Sequence, residues 1–308
     1  MSEAPTRLAA LSLNAARIRF ENGSLGAAAL TLRSSAERVG LIGNWRALFA
    51  LLSSRAGLES GTATLLDMPY RAALASGAVG VAPLNPQLPL VWTCERYLKE
   101  SALLLGLSKS EAVSRSAAAL ERFEMAAHAR RTLGSLSALD RRVLGFVRAT
   151  LSEPRMLICE APLHALPDDA SALVSMALER AARGRTLVTS FHEVPEFGLE
   201  RALFESGREL FLLDAAGVHP VALDDVEVHS ELSVIVSENA DAFAHELALR
   251  DVVAARLGQV EAAYAFVYAR MQTDCVRFTV RAPDAAARRK ILEASAAALA
   301  PLLELRPL

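Results

Sequence analysis

Lysine is scarce in this chain of 308 residues: of 33 basic residues only Lys99, Lys109 and Lys290 are lysines. No lysine precedes residue 99, which excludes a phosphate loop of the G-x-x-x-x-G-K-[ST] kind in the first third. Cysteine is scarce too. Cys94, Cys159 and Cys275 are far apart, odd in number and without C-x-x-C spacing, so neither a disulfide framework nor a zinc site is suggested, and they read as buried small hydrophobes. Long apolar runs are missing. The hydrophobic fraction is 52%, yet Arg, Glu or Ser interrupts each run before the roughly 18 to 20 residues that a membrane span needs. No charge sign dominates. With 33 basic and 35 acidic residues and a net charge of −2, no basic stripe marks a nucleic-acid surface. The opening MSEAPTRLAALSLNAAR carries Glu3 and no basic stretch ahead of a uniform apolar core, which predicts no secretory signal and a cytoplasmic location.

What is present is a repeated alternation of strand and helix signals. RLAALSLNAARIRFENG predicts one or two strands with Asn22-Gly23 as a turn. ERVGLIG (37–43) reads as a buried strand, followed by a helix in NWRALFALLSSRAGL that stops at a glycine. GVAPLNPQLPLVWT (80–93) holds three prolines and reads as loop, and residues 94 to about 131 read as a helical subdomain. Ser137 caps a helix that breaks at Pro154. The strand MLIC, a capped helix in DDASALVSMALERAARG and the strand TLVTSF follow. This order predicts βα units around a mainly parallel sheet. After about residue 225, HSELSVIVS, a helix over 239–257, a strand near AYAFVYAR, DCVRFTVRA, a last helix and ELRPL give βαββαβ, the order of a ferredoxin-like sandwich.

Strand, glycine and helix at Gly40, Gly43 and Asn44 suit phosphate, because free backbone N–H groups point at the anion. Arg46 is open between a phosphate ligand and a solvated helix-start residue, and Trp45 between packing and a plug in the pocket. Glu160 ends the MLIC strand, where a metal-bound phosphate is commonly held, and is open between holding Mg²⁺ through water and pairing with an arginine. His192 is open between a strand-end cap and a γ-phosphate sensor; HEVPE lacks the second histidine of a zinc protease. Ser137 is open between cap and nucleotide ligand, and Phe20 between core and a platform for a base.

Taken together, VGLIG (39–43), SGTATLL (60–66), GVAPLNPQLPLVWTCERYL (80–98), LSALDRRVLGFVRATLSEPRMLICEAPLHALPDD (136–169) and TLVTSFHEV (186–194) resemble, in order and spacing, the nucleotide-binding subunit of an ABC transporter. The resemblance covers roughly residues 7 to 220. It implies an α/β, P-loop NTPase-like fold with a helical subdomain, in a domain 1–224 followed by a smaller α+β domain 225–308. It further implies ATP and Mg²⁺ as ligands, with Gly40, Gly43, Asn44, Arg46, Ser137 and Glu160 at the nucleotide, Glu160 at the metal and His192 as switch residue. The implied partners are a membrane permease and a catalytic ABC ATPase subunit or a second copy. The departures lie in the same motifs. The phosphate loop lacks its GK[ST] ending, Leu84 stands at the glutamine position, Ala138 and Leu139 replace two signature glycines and Asp140 a glutamine, Ala161 replaces the base, and Pro167 takes an Asp position. They imply a non-hydrolysing or weakly active subunit. The alternatives are a scaffold of a membrane or envelope complex that binds no nucleotide, and an ATPase rewired through Arg46 and Glu160.

Overall fold

The computed structural model describes residues 9–195, 198–214, 216–222, 231–259, 275–282 and 284–307. The chain divides into two compact units: residues 1–161, 184–192 and 209–221 form the first, and 162–183, 193–208 and 222–308 the second.

The first unit opens with β1 (Leu11–Phe20) and β2 (Leu25–Ser34). Between them Asn22 Oδ1 accepts from the Ser24 N–H at 3.0 Å and Gly23 takes a φ of +81°, the turn chemistry that Asn-Gly supplies. There follow β3 (Arg38–Gly43), α1 (Arg46–Leu52), β4 (Ala56–Leu65), β5 (Met68–Pro69), α2 (Tyr70–Ala75) and β6 (Val79–Ala82). Strands β2, β1, β4 and β5 pair in that order as an antiparallel sheet. Two sequence expectations shift here. Helix α1 stops at Leu52, before the glycine taken as its end, because Ala56–Leu65 pairs with β1 instead. Residues 80–82 of the proline-rich stretch belong to a strand, and only the part after Ala82 is irregular.

Helices α3 (Cys94–Leu104) and α4 (Lys109–Arg122) occupy the stretch expected to be helical. Thr93 caps α3 through the Arg96 N–H, and Ser108 with Glu111 forms a reciprocal capping box on α4. Helix α5 (Ala138–Ala149) is capped by Ser137 and Asp140 in the same way and buries Val143, Leu144, Phe146 and Val147. Then come β7 (Met156–Cys159), α6 (Asp168–Ala182), β8 (Thr186–Phe191), α7 (Gly198–Glu205), β9 (Glu209–Asp214) and β10 (Gly217–Val221). The residue before α6 is Pro167, which supplies no side-chain cap where one was expected.

The central sheet runs β10-β9-β3-β8-β7-β6, with every neighbour from β9 to β6 parallel and β10 antiparallel at the edge. Strands β6 and β7 are wholly buried, and β8 is buried after Thr186, as parallel strands covered on both faces require, which is why MLIC reads as a continuous apolar run. The register sets Ile42 beside Phe191 and Cys159 beside Thr189. Gly43, His192 and Glu160 are therefore the next residues out at the carboxyl ends of neighbouring strands, where open α/β sheets bind ligands.

In the second unit α6 and α7 group with the C-terminal segment, so the compact units interleave along the chain rather than divide near residue 225. That segment holds β11 (Glu231–Val236), α8 (Ala240–Leu249), β12 (Ala254–Gln259), β13 (Val276–Arg281), α9 (Ala285–Ala298) and β14 (Leu302–Pro307). Its antiparallel sheet has the order β12-β13-β11-β14. The helix expected to reach residue 257 ends at Leu249, because Ala254–Gln259 pairs with β13. The strand expected near AYAFVYAR lies outside the described residues. β11 is buried at every position after Glu231 instead of alternating. Among the described residues no helix is long and apolar enough to cross a membrane.

Candidate functional site

A cavity of about 490 Å³ opens at the carboxyl ends of β3, β7 and β8, lined by Gly43, Asn44, Trp45, Arg46, Phe49, Arg55, Leu84, Asn85, Glu160, Ser190 and His192. All of these residues lie in the first unit.

Gly43 closes β3 with a φ of +101°, and a Cβ there would meet the Leu213 carbonyl oxygen at 2.4 Å, so only glycine fits. Beyond it the chain turns tightly. The Trp45 N–H donates to the Gly43 carbonyl at 3.1 Å, and the buried indole, which lines the cavity, donates Nε1–H to the Ile42 carbonyl at 2.9 Å. Asn44 Oδ1 accepts the Arg46 N–H at 3.3 Å. The Arg46 guanidinium lies over the Phe20 ring, 5.9 Å from its centroid, within the reach of a cation–π contact. Helix α1, with seven residues, has no side-chain cap.

Across the cavity, the carboxylate of Glu160 accepts the Leu84 N–H at 2.9 Å, while the Glu160 N–H donates to the Ala82 carbonyl at 2.9 Å. The acid thereby fixes the start of the irregular segment after β6. That segment is a partition. Leu84 and Asn85 face the first cavity, whereas Pro83, Pro86 and Gln87 line a second one of about 420 Å³, together with Leu74, Tyr97, Leu104 and Arg148. Burial pushes the Tyr97 phenol above its ordinary range.

Ala161 is fully buried with a φ of +39°; its N–H donates to Ser190 Oγ at 3.0 Å and its carbonyl accepts from Arg142 at 2.9 Å. Beside it, burial pushes the Cys159 thiol far above its ordinary range, so that thiol is inert. Among the described residues no group of three or more His, Cys, Asp or Glu side chains is arranged to hold a metal ion.

Of the residues singled out in the sequence, the fold brings Gly43, Asn44, Arg46, Glu160 and His192 to one cavity. Gly40 and Ser137 are not among its lining. Gly40 sits inside β3, where a Cβ would come within 2.5 Å of Leu210 Cδ2. Ser137 Oγ accepts the Asp140 N–H at 3.0 Å as the cap of α5. Arg55, Asn85 and Ser190 escaped the sequence reading. Arg55 lies just after α1 and Asn85 in the proline-rich stretch, with nothing local to mark them. Ser190 stands two residues before His192 and had the position, though not the chemistry, to attract notice.

Parallel strands in this order, with a histidine, a strand-end acid and a glycine-terminated strand at one crevice, define the fold of the ABC ATPase domain. Solved structures agree. The ATP-binding subunit of an ABC transporter superposes with a TM-score of 0.56 at 19% identity, covering 70% of this chain and 90% of that one. CbiO1 from Clostridium perfringens, part of the ABC transporter complex CbiONQ, gives 0.54 at 16%, covering 69% and 87%. In sequence the chain is a relative of ABC transporter ATP-binding subunits. It is 32% identical over 143 residues to the Nod factor export ATP-binding protein I of Mesorhizobium japonicum, 45% of this chain and 42% of that protein. It is 31% identical over 160 residues to the protein of the same name from a Rhizobium species, 49% of this chain and 52% of that one. The arginine transport ATP-binding protein ArtP of Escherichia coli K12 is 34% identical over 101 residues, 32% and 42% of the two chains. The matches thus span about half the length of these relatives. No protein-family model matches the chain.

Proposed function

We propose that this chain is an ABC ATP-binding-type subunit that hydrolyses ATP weakly or not at all and acts with a membrane permease and a catalytically complete partner subunit or a second copy. The observation that carries this reading is Ala161. A buried methyl group stands where a base would orient and deprotonate water, and its backbone is tied on both sides. A positioned general base contributes about 10² to 10⁴ in rate.

The remaining residues fit Mg–ATP poorly. The cavity lining holds no lysine. The first amide of the short α1 is already bound by Asn44, and Glu160, in the place of a metal-associated acid, already accepts from Leu84. Arg46 covers Phe20, the aromatic that would stack on a base. That last contact favours the second reading, a scaffold that binds no nucleotide. Co-purification separates the two: recovery with a polytopic permease supports the transporter subunit, and recovery with soluble partners alone supports the scaffold.

The permease-facing surface in this reading is the second cavity, whose rim carries Leu104 at 90% exposure; large exposed apolar groups of this kind mark partner sites. The segment 225–308 is in our reading a ferredoxin-like appendage that supports self-association. Calorimetry with ATP and Mg²⁺ together with a phosphate-release assay tests the proposal: micromolar affinity with steady turnover overturns it.

A further inference from the structure

Two arginines, Arg46 and Arg55, line the first cavity against a single carboxylate, Glu160. Neither guanidinium makes a hydrogen bond or ion pair with the described residues; Arg46 has only the Phe20 ring beneath it. The one acid accepts the Leu84 N–H through one of its oxygens, and its single charge leaves the two arginines in excess. A concave site with more cation than anion raises the local concentration of anions, and a guanidinium offers a planar fork that matches phosphate oxygens. The contact with the Phe20 ring takes up none of the N–H donors of the Arg46 guanidinium. Asn44, Asn85, Ser190 and His192 complete a polar lining.

We propose that this cavity binds a compact phosphate anion of the pyrophosphate type on Arg46 and Arg55, with no metal ion and no nucleoside. The inference rests on the reading that the cavity has lost its Mg–ATP chemistry. Side-chain cations here replace the two devices that reading removes, the helix-end amides and the metal. The Arg46 guanidinium competes for the Phe20 ring that a base would use, and the cavity volume lies in the range of ordinary small-molecule sites.

The test is isothermal titration of the full chain with sodium pyrophosphate in EDTA, repeated with Arg46→Ala, Arg55→Gln and Arg148→Ala. Arg148 serves as the control because it lines only the second cavity, whereas Arg55 borders both. The expected result is binding in EDTA that added Mg²⁺ does not strengthen. It should weaken roughly ten- to a hundredfold in each of Arg46→Ala and Arg55→Gln and stay unchanged in Arg148→Ala. Absence of binding, no loss in Arg46→Ala, or loss in Arg148→Ala overturns the inference, the last by placing the anion in the second cavity. Metal-free ATP binding no tighter than pyrophosphate supports recognition of the phosphate chain alone, and tighter binding contradicts it. Turnover of Mg–ATP sinks the functional proposal instead. Lack of pyrophosphate binding without turnover sinks only this inference.

Discussion

At the scale of single residues, Glu160 and Ala161 carry most of the account. Glu160 holds the Leu84 N–H and with it the partition between two cavities. Replacing it by alanine leaves a half-buried donor unsatisfied and should cost about 1 to 3 kcal/mol. Glu160→Gln keeps an acceptor and should cost less. Urea denaturation of both variants checks the order, and equal losses would remove the bond from the account. Ala161→Glu, which restores an acid at the base position, should fail to restore hydrolysis. It should also lower stability by about 1 to 3 kcal/mol, because the site is fully buried and its backbone lies at positive φ. Phosphate release and a thermal melt of that variant measure both effects. The place of Ala161 after the strand-end acid was legible from the sequence because the strand MLIC and its acid fix the position to compare. Arg55 was not legible: its place at the cavity depends on how far α1 runs before β4 turns back along β1, and the helix proved shorter than its glycine suggested.

At the scale of elements, two helix starts follow directly from local sequence. Ser108 and Ser137 each precede an acid by three residues, and each forms a capping box. The Glu111 carboxyl is held below its ordinary range, first by the Ser108 hydroxyl and then by the Ser108 backbone N–H. A carboxyl whose folded pKa is depressed stabilises the fold above its unfolded pKa, and that contribution disappears as pH falls through the lower folded value. The Glu111 titration midpoint, followed by NMR, should therefore lie below that of an ordinary glutamate. In Ser108→Ala it should move up toward the ordinary value, with α4 fraying at its start. An unchanged midpoint would mean that the cap does not hold in solution. The strands were harder to read. β11 was expected to alternate, yet it is buried on both faces. β12 was read as helix because Ala, Arg and Leu favour one, until pairing with β13 overrode propensity.

At the scale of the whole molecule, the order of strands and helices in the first unit could be read because turn residues punctuate it, whereas the division into compact units could not. Contacts far apart in sequence decide it: α9 packs against both α6 and α7. A buried ion network reinforces that packing. Glu205 at the end of α7 accepts from Arg201, at 2.7 Å, and from Arg288 of α9, whose guanidinium also donates to the Ala282 carbonyl. Arg288 is 1% exposed and Glu205 4%. Removing one partner of a buried pair costs about 3 to 5 kcal/mol, so Arg288→Met should lower the unfolding midpoint of the second unit in denaturant, and a variant as stable as the parent would show the pair to be dispensable. For the first unit the central claim is a scaffold that keeps its crevice while its phosphoryl chemistry is gone. Phosphate release from Mg–ATP by the purified full chain tests it most directly. The account predicts release far slower than about 1 s⁻¹, the low end of ordinary enzyme rates, and turnover at or above that rate would contradict it.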